Sequence, residues 1–339
     1  MHDAPNQAKK YFESNTFYLF MTSIGTNIEE AVALLKASEL VAIPTETVYG
    51  LAANALDPVA VVKIYAAKNR PSFNPLIIHV ANVAAISNYA ILDPISAQLA
   101  AAFMPGPFTL LLPKKSVVPD LVTAGSTKVA IRIPNHPLTL KLLQAIDFPL
   151  AAPSANPFGY VSPTTAQHVF DGLNNKLNYI LDGGSCAVGL ESTIIEVKDQ
   201  QIILHRLGAI TTEQITAITG LTVTRKEMAK NLEAPGQMKS HYATKTPLIL
   251  GQIPLLLKEY AKKKMATISM SDTYEGLAKE HQYILSKKGD LNEAAQQLFT
   301  VMRSIDEVGY DVILAEHFPD EGLGRAINDR LERAQVKHK

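Results

Sequence analysis

The chain has 339 residues, 47% apolar and 19% charged, and its 32 Lys and Arg are matched by 32 Asp and Glu. At roughly 150 residues per domain, this predicts about two ordinary globular domains and excludes a mostly disordered chain. Zero formal charge excludes a global basic field for non-specific nucleic-acid or membrane binding and leaves only local patches.

A single cysteine, Cys186, cannot form an internal disulfide, and the chain has no Cys-x-x-Cys. A reducing cytoplasm is the expected setting. The apolar run ending Phe103-Met104-Pro105-Gly106-Pro107 is broken before the roughly 20 residues that a spanning helix needs. Residues 1–25 read as an N-terminal extension, in which Asp3, Glu13 and the short apolar stretch 17–21 do not make a signal peptide.

In chain order, residues 26–220 alternate strand-like runs (40–43, 76–80, 129–133, 179–181, 193–197 and 202–206) with helix-like stretches, predicting an α/β or α+β domain. One helix is punctuated by Asp57 as N-cap, Pro58 in the first turn and Pro71 beyond its end, so Lys68 and Arg70 straddle a helix end. A second starts at Thr211, with Gln214 as capping-box partner and Gly220 as stop. Residues 221–245 read as a linker. Residues 246–339 predict a smaller βα domain, with strands at 247–250, 266–270 and 312–315 and helices at 255–263 and 292–304, the last opened by a capping box of Asp290 and Glu293.

Familiar signatures fail. Gly184-x4-Gly189 is followed by Leu190-Glu191 rather than Lys-Ser/Thr, Gly183-Gly184-Ser185-Cys186-Ala187 lacks the last glycine of a nucleophile elbow, and Gly322-Leu323-Gly324 lacks the third glycine and preceding strand of a dinucleotide fingerprint. Nine scattered histidines have no metal-ligand spacing, so no metal held by protein side chains is expected. What remains is small polar residues and cations at strand ends. Strand period sets Ala130 and Arg132 on one face, where Arg132 needs an anion or a surface ion pair. Lys68, Arg70, Ser72 and Asn74 suit polyphosphate or a plain helix terminus. Ala152, Ser154 and Asn156 form either a close-approach loop for a ligand or an ordinary turn. His79 lies in an apolar run, as a core histidine would.

Taken in order, these segments resemble the YrdC-like threonylcarbamoyl-adenylate synthases in their two-domain form. The resemblance is carried by Pro44-Thr45-Glu46-Thr47-Val48-Tyr49-Gly50-Leu51, Lys68-Asn69-Arg70-Pro71, Asn74-Pro75-Leu76, Pro105-Gly106-Pro107-Phe108-Thr109 and Val129-Ala130-Ile131-Arg132-Ile133-Pro134. It continues through Ser154-Ala155-Asn156, Ser162-Pro163-Thr164, Glu191-Ser192-Thr193-Ile194 and Arg206, then His241-Tyr242-Ala243 and Ala326-Ile327-Asn328-Asp329-Arg330. Phe158, Leu207 and Thr244 depart from the pattern, where Ser, Pro and Pro are usual.

The resemblance implies a YrdC-type twisted open α/β sheet domain followed by a smaller Rossmann-like α/β domain. It also implies synthesis of threonylcarbamoyl-AMP and pyrophosphate from L-threonine, bicarbonate and ATP with Mg²⁺, feeding a separate transferase that modifies tRNA next to the anticodon. By motif position, Lys68, Arg70, Ser72, Asn74, Ser154, Ser162, Arg206 and Tyr242 face ATP, with Lys68, Arg70 and Arg206 stabilising its charge. Thr45, His79, Arg132, Ala152 and Ser192 face L-threonine, Arg132 as a bidentate clamp, and no side-chain nucleophile is expected. His241 and Tyr242 are expected to close over the pocket. A neutral chain without long exposed heptads points to a monomer. The rival readings are carbamoyl-adenylate chemistry and an RNA-binding surface built on Lys9, Lys10, Lys114, Lys115 and Lys128.

Overall fold

The computed structural model describes residues 21–71, 74–225 and 241–335. Eleven strands build the first sheet: β1 (Ser23–Gly25), β2 (Val41–Ile43), β3 (Gly50–Asn54), β4 (Ile77–His79), β5 (Phe108–Pro113), β6 (Lys128–Arg132), β7 (Leu150–Ala151), β8 (Tyr179–Leu181), β9 (Thr193–Lys198), β10 (Gln201–Arg206) and β11 (Val223–Arg225). Their order is β1-β8-β2-β3-β7-β4-β6-β5-β9-β10-β11, with parallel and antiparallel neighbours mixed. Around it lie α1 (Ile28–Lys36), α2 (Pro58–Lys68), α3 (Val83–Tyr89), α4 (Pro94–Phe103), α5 (Asp120–Thr123), α6 (Pro137–Gln144), α7 (Ala166–Leu173) and α8 (Thr212–Thr219).

The second sheet is all parallel, in the order β12-β15-β13-β14, from β12 (Leu248–Leu250), β13 (Met265–Ser269), β14 (Gln282–Ile284) and β15 (Val312–Ala315). Helix α9 (Ile253–Glu259) packs on one face through Leu256 and Leu257; α10 (Leu291–Val308) and α11 (Gly322–Ala334) pack on the other through Leu298, Phe299, Ile327 and Leu331. A small parallel sheet covered on both faces is the Rossmann-like arrangement, and its short apolar strands follow from that double burial.

Local chemistry accounts for several boundaries. Asp57 accepts a hydrogen bond from Val59 N and Pro58 occupies the first turn of α2, which ends at Asn69 in the left-handed region. Thr211 and Gln214 form the reciprocal capping box of α8, and Gly220 closes it with φ +70°. The box at Asp290 and Glu293 is not formed. Asp290 caps Asn292 N, while Ser286 Oγ accepts from Asp290 N and donates to Glu293 Oε2 at 2.6 Å. The serine hydroxyl has taken the place of the direct contact. Gly322-Leu323-Gly324 does follow a strand, β15, through residues 316–321, contrary to expectation. Gly324 serves packing there, since a Cβ would come within 1.9 Å of Pro319 O.

The main core lies on one face of the large sheet, and Val129 and Ile131 of β6 belong to it. The other face of the central strands carries a small patch of Ile77, Leu111, Ala130 and Ile194. Toward this side comes the second domain, whose core takes in Val48, Val161 and Leu190 of the first. Arg303 of α10 donates to Val161 O at 2.6 Å, and Tyr160 donates to Asp306 at 2.8 Å. Gly189 is needed at this junction: its φ is +76°, and a Cβ would come within 2.6 Å of the α10 backbone at Gln296.

Candidate active site

Strand register builds the site. His79 ends β4 opposite Arg132, the last residue of β6; Arg132 pairs with Thr109 of β5, Thr109 with Ile194 of β9, and Ile194 with Arg206 at the end of β10. Paired residues share a face, so one row across five strands carries a histidine and two arginines on the side away from the main core. The patch of Ile77, Ala130 and Leu111 lies two residues back along the same strands and gives the row an apolar floor.

A cavity of about 50 Å³ opens here, lined by Thr45, Arg70, His79, Arg132, Ala152, Ser154, Arg206 and Tyr242 among the expected residues. Val48, Gly50, Ile77, Pro153, Glu191 and His241 complete it. That volume has room for a few waters.

At one end, Arg132 is buried and three of its nitrogens are engaged. Nη1 donates to Thr47 Oγ1 at 2.8 Å, Nε donates to Gly106 O, and Nη2 lies 2.8 Å from Glu46 Oε1. Thr45 Oγ1 donates to Val48 O at 2.6 Å, bracing the turn after β2. Burial, then Arg132, pushes the His79 pKa down to about 3, so its imidazole is neutral at physiological pH. The Ala152 amide is bonded to Ile77 O, which brings its small side chain against the cavity.

At the other end, buried cations rest on backbone carbonyls. Lys68 Nζ donates to Ser154 O and Asn156 O; Arg70 donates to Asn74 O and to Pro75 O at 2.9 Å; Arg206 donates to Ser192 O and Ser192 Oγ, both at 3.0 Å. Burial, then Arg70 and Arg303, drives the Lys68 pKa well below the ordinary lysine value. Burial also lowers Arg70 and Arg206 to about 10, leaving both charged at neutral pH. Ser192 Oγ also shares a hydrogen bond with Thr109 Oγ1 at 2.7 Å.

Over this end lie His241 and Tyr242, ring centroids 4.1 Å apart, with Tyr242 stacked on Phe299 of α10 at 5.3 Å. Burial lowers the His241 pKa to about 3. Ser162 is expected at the nucleotide but stands behind the lining, donating to Glu191 Oε1 at 2.6 Å. Lys68, Asn74 and Ser192 are likewise one contact removed from the cavity, and Ser72 lies outside the described residues. Sequence reasoning assigns no role to two carboxylates that lie within the family motifs: Glu46, paired with Arg132, and Glu191, paired with Arg330 of the second domain.

Among the described residues, no group of three or more His, Cys, Asp or Glu could hold a metal, and no helix is long and apolar enough to cross a membrane. Of the lysines of the RNA-surface reading, Lys114 pairs with Asp120 and Lys128 with Glu196, while Lys115 donates to the Ser87 carbonyl. Lys9 and Lys10 lie outside the described residues.

Residues 33–208 match the family described as "Telomere recombination", which groups the Sua5, YciO and YrdC proteins, and residues 210–335 match the "Threonylcarbamoyl-AMP synthase, C-terminal domain". The threonylcarbamoyl-AMP synthase of Bacillus subtilis is 40% identical over 319 residues, covering 91% of this chain and 92% of the relative. The chain belongs to the two-domain threonylcarbamoyl-AMP synthase family. The synthase of Pyrococcus abyssi is also 40% identical, over 323 residues, with 91% and 93% covered. The crystal structure of P. abyssi Sua5 complexed with L-threonine superposes with a TM-score of 0.84 at 37% identity, over 93% of this chain and 96% of that one. A second structure, of a P. abyssi Sua5 variant with one histidine and one tyrosine replaced by alanine, gives 0.85 at 35% identity, with 94% and 99% covered. Family membership thus extends through both domains.

Proposed function

We propose that the cavity is where this synthase joins its substrates, with L-threonine at the Thr45, His79, Arg132 and Ala152 end and ATP at the Lys68, Arg70, Ser154 and Arg206 end, while Ser192 supports Arg206 and Ser162 supports Glu191 from behind the lining. Asn74, whose carbonyl accepts from Arg70, would extend the nucleotide end, and Ser72, which lies outside the described residues, is proposed for ATP by motif position alone. The chain is a threonylcarbamoyl-AMP synthase, an enzyme that forms an adenylate from threonine, bicarbonate and ATP. The single observation that carries the placement is the cross-strand row, which puts Arg132 and Arg206 on one face of one sheet.

In this reading, the amine of threonine takes up bicarbonate with loss of water to give an N-carboxy group. Its oxygen then attacks the α-phosphorus of ATP; an O–P bond forms, the bond to the bridging oxygen breaks, and pyrophosphate leaves. The nucleophile comes from the substrate, so the protein must align two reactants and balance charge rather than activate a serine or cysteine. Burial, then Glu46, raises the Cys186 thiol pKa to about 12, in keeping with a residue outside the chemistry. Arg132 retains N–H donors beyond its three engaged contacts to meet a carboxylate, and neutral His79 adds a hydrogen-bonding group without charge. Lys68, Arg70 and Arg206 would exchange carbonyl and hydroxyl oxygens for phosphate oxygens as the nucleotide binds.

Mg²⁺ would enter with the nucleotide and supply positive charge against its phosphates, beside Lys68, Arg70 and Arg206. Tyr242 and His241 would lie over the bound nucleotide and keep water from the adenylate. The product would pass to a separate transferase acting on tRNA beside the anticodon, in the cytoplasm, with the synthase acting as a monomer and making at most weak contact with tRNA. The test is pyrophosphate release by the purified chain with ATP and Mg²⁺, omitting L-threonine or bicarbonate in turn and offering serine as a control. Release that needs both co-substrates is expected; release indifferent to threonine would overturn the assignment.

A further inference from the structure

Glu191 is a carboxylate set among cations. It is 6% exposed, lines the cavity, and precedes Ser192, on which Arg206 rests. An ionised carboxylate here works against binding a polyphosphate, both by repelling it and by attracting the guanidinium meant for it. The chain answers this charge from a helix 139 positions away: Arg330 of α11 sets Nε 3.0 Å from Glu191 Oε2. The same guanidinium donates to Leu207 O at 2.8 Å and to Asp329 at 3.0 Å, and lies over the Tyr242 ring at 5.4 Å. Arg330 is fully buried, so its charge is committed to these contacts. It touches the first domain, the segment over the cavity and the cavity's own carboxylate at once, while its side chain lines no part of the cavity.

Burial alone would raise the Glu191 pKa, but Arg330 first and Arg206 second hold it below the ordinary value, which names Arg206 as the next cation available to the carboxylate. Among the described residues, Arg206 is bonded only to oxygens of Ser192.

We propose that Arg330 is a positioning residue for adenylate formation: by neutralising Glu191 from the second domain, it leaves Arg206 free for the nucleotide phosphates. The second domain thereby completes the nucleotide end of a site built in the first. The inference rests on the nucleotide placement proposed above. Without Arg330, Glu191 draws Arg206 into an ion pair and ATP must compete with a buried carboxylate. The threonine end, whose arginine has its own partner in Glu46, is untouched.

The experiment is steady-state pyrophosphate release by the full-length Arg330→Met, Arg206→Gln and Arg330→Met/Glu191→Gln proteins. Arg330→Met should raise the KM for ATP on the order of 30-fold or more, the range for leaving a buried charge without its partner, with the KM for threonine within about threefold of wild type. Adding Glu191→Gln removes the competing charge and should bring the KM for ATP back to within about tenfold of wild type. The double variant leaves no unpaired charge, so it carries the test even where Arg330→Met alone does not fold. A double variant with a KM for ATP raised as far as that of Arg330→Met, or both KM values rising together, would show that Arg330 only joins the domains and would overturn the proposal. Arg206→Gln separates the premises: an unchanged KM for ATP there overturns the nucleotide placement itself. A raised KM there, without rescue by Glu191→Gln, overturns only the role of Arg330.

Discussion

The two ends of the cavity carry the same kind of group and treat its charge differently. Arg132 has a carboxylate 2.8 Å away in Glu46, so its end, the one proposed for the amino acid, is close to neutral. Lys68, Arg70 and Arg206 rest on carbonyl and hydroxyl oxygens, and among the described residues none forms an ion pair; the nearby carboxylate, Glu191, is taken by Arg330. A zwitterionic amino acid gains little from a strongly charged pocket, whereas a tetra-anionic nucleotide needs the surplus. The difference teaches that charge balance, more than the identity of the cations, distinguishes the two ends of the cavity. The Arg132 end is made from strand ends of one sheet, while the Arg206 end also takes in the segment at His241 and Tyr242 and, through Arg330, a helix of the second domain.

The largest effect should come from removing the charge match at the neutral end. Glu46→Gln leaves the Arg132 guanidinium buried without its anion, and loss of one partner of such a pair costs about 3–5 kcal/mol. Urea unfolding should show a loss of that size, and saturating L-threonine, whose carboxylate replaces the missing anion, should stabilise the variant more than the wild type. Equal stabilisation of both proteins by threonine would break the comparison at this end.

A smaller effect tests how firmly each end is closed. His79 and His241 both have folded pKa values near 3, below the ordinary 6.5, so the unfolded chain binds protons that the folded one refuses. The stability they permit is therefore complete above about pH 6.5 and is lost as pH falls toward 3. Between pH 7 and 5, each histidine that stays buried should cost about 2 kcal/mol. His79→Asn should remove that share of the loss in full, because β4 is central in the sheet. His241→Asn should remove it only in proportion to the time its segment spends over the cavity. Chemical unfolding at the two pH values reads both, and an undiminished loss in His79→Asn would contradict the burial of that histidine.

Much of this was legible in the sequence, for reasons that can be named. Strand edges, the α2 and α8 caps and the two-faced pattern of β6 are local, written within a few residues by period and capping chemistry. The polar groups of the site were legible because each sits in a short motif at a strand end. Pairings between distant segments left no local trace. Nothing in the spacing of Glu46 or Glu191 points to Arg132 or Arg330, and the Asp290 box failed because Ser286, outside the capping pattern, reached both of its partners first. Ser162 reads as a ligand contact by type, and only the fold shows its hydroxyl turned onto Glu191.

The division of the cavity is tested most directly by measuring both KM values in two variants, Arg132→Gln and Arg206→Gln, in one pyrophosphate-release assay. Arg132→Gln should raise the KM for threonine by roughly 30-fold or more and leave that for ATP within about threefold, and Arg206→Gln should do the reverse. Two variants that shift the same KM, or both by similar factors, would contradict a site with separate amino-acid and nucleotide ends.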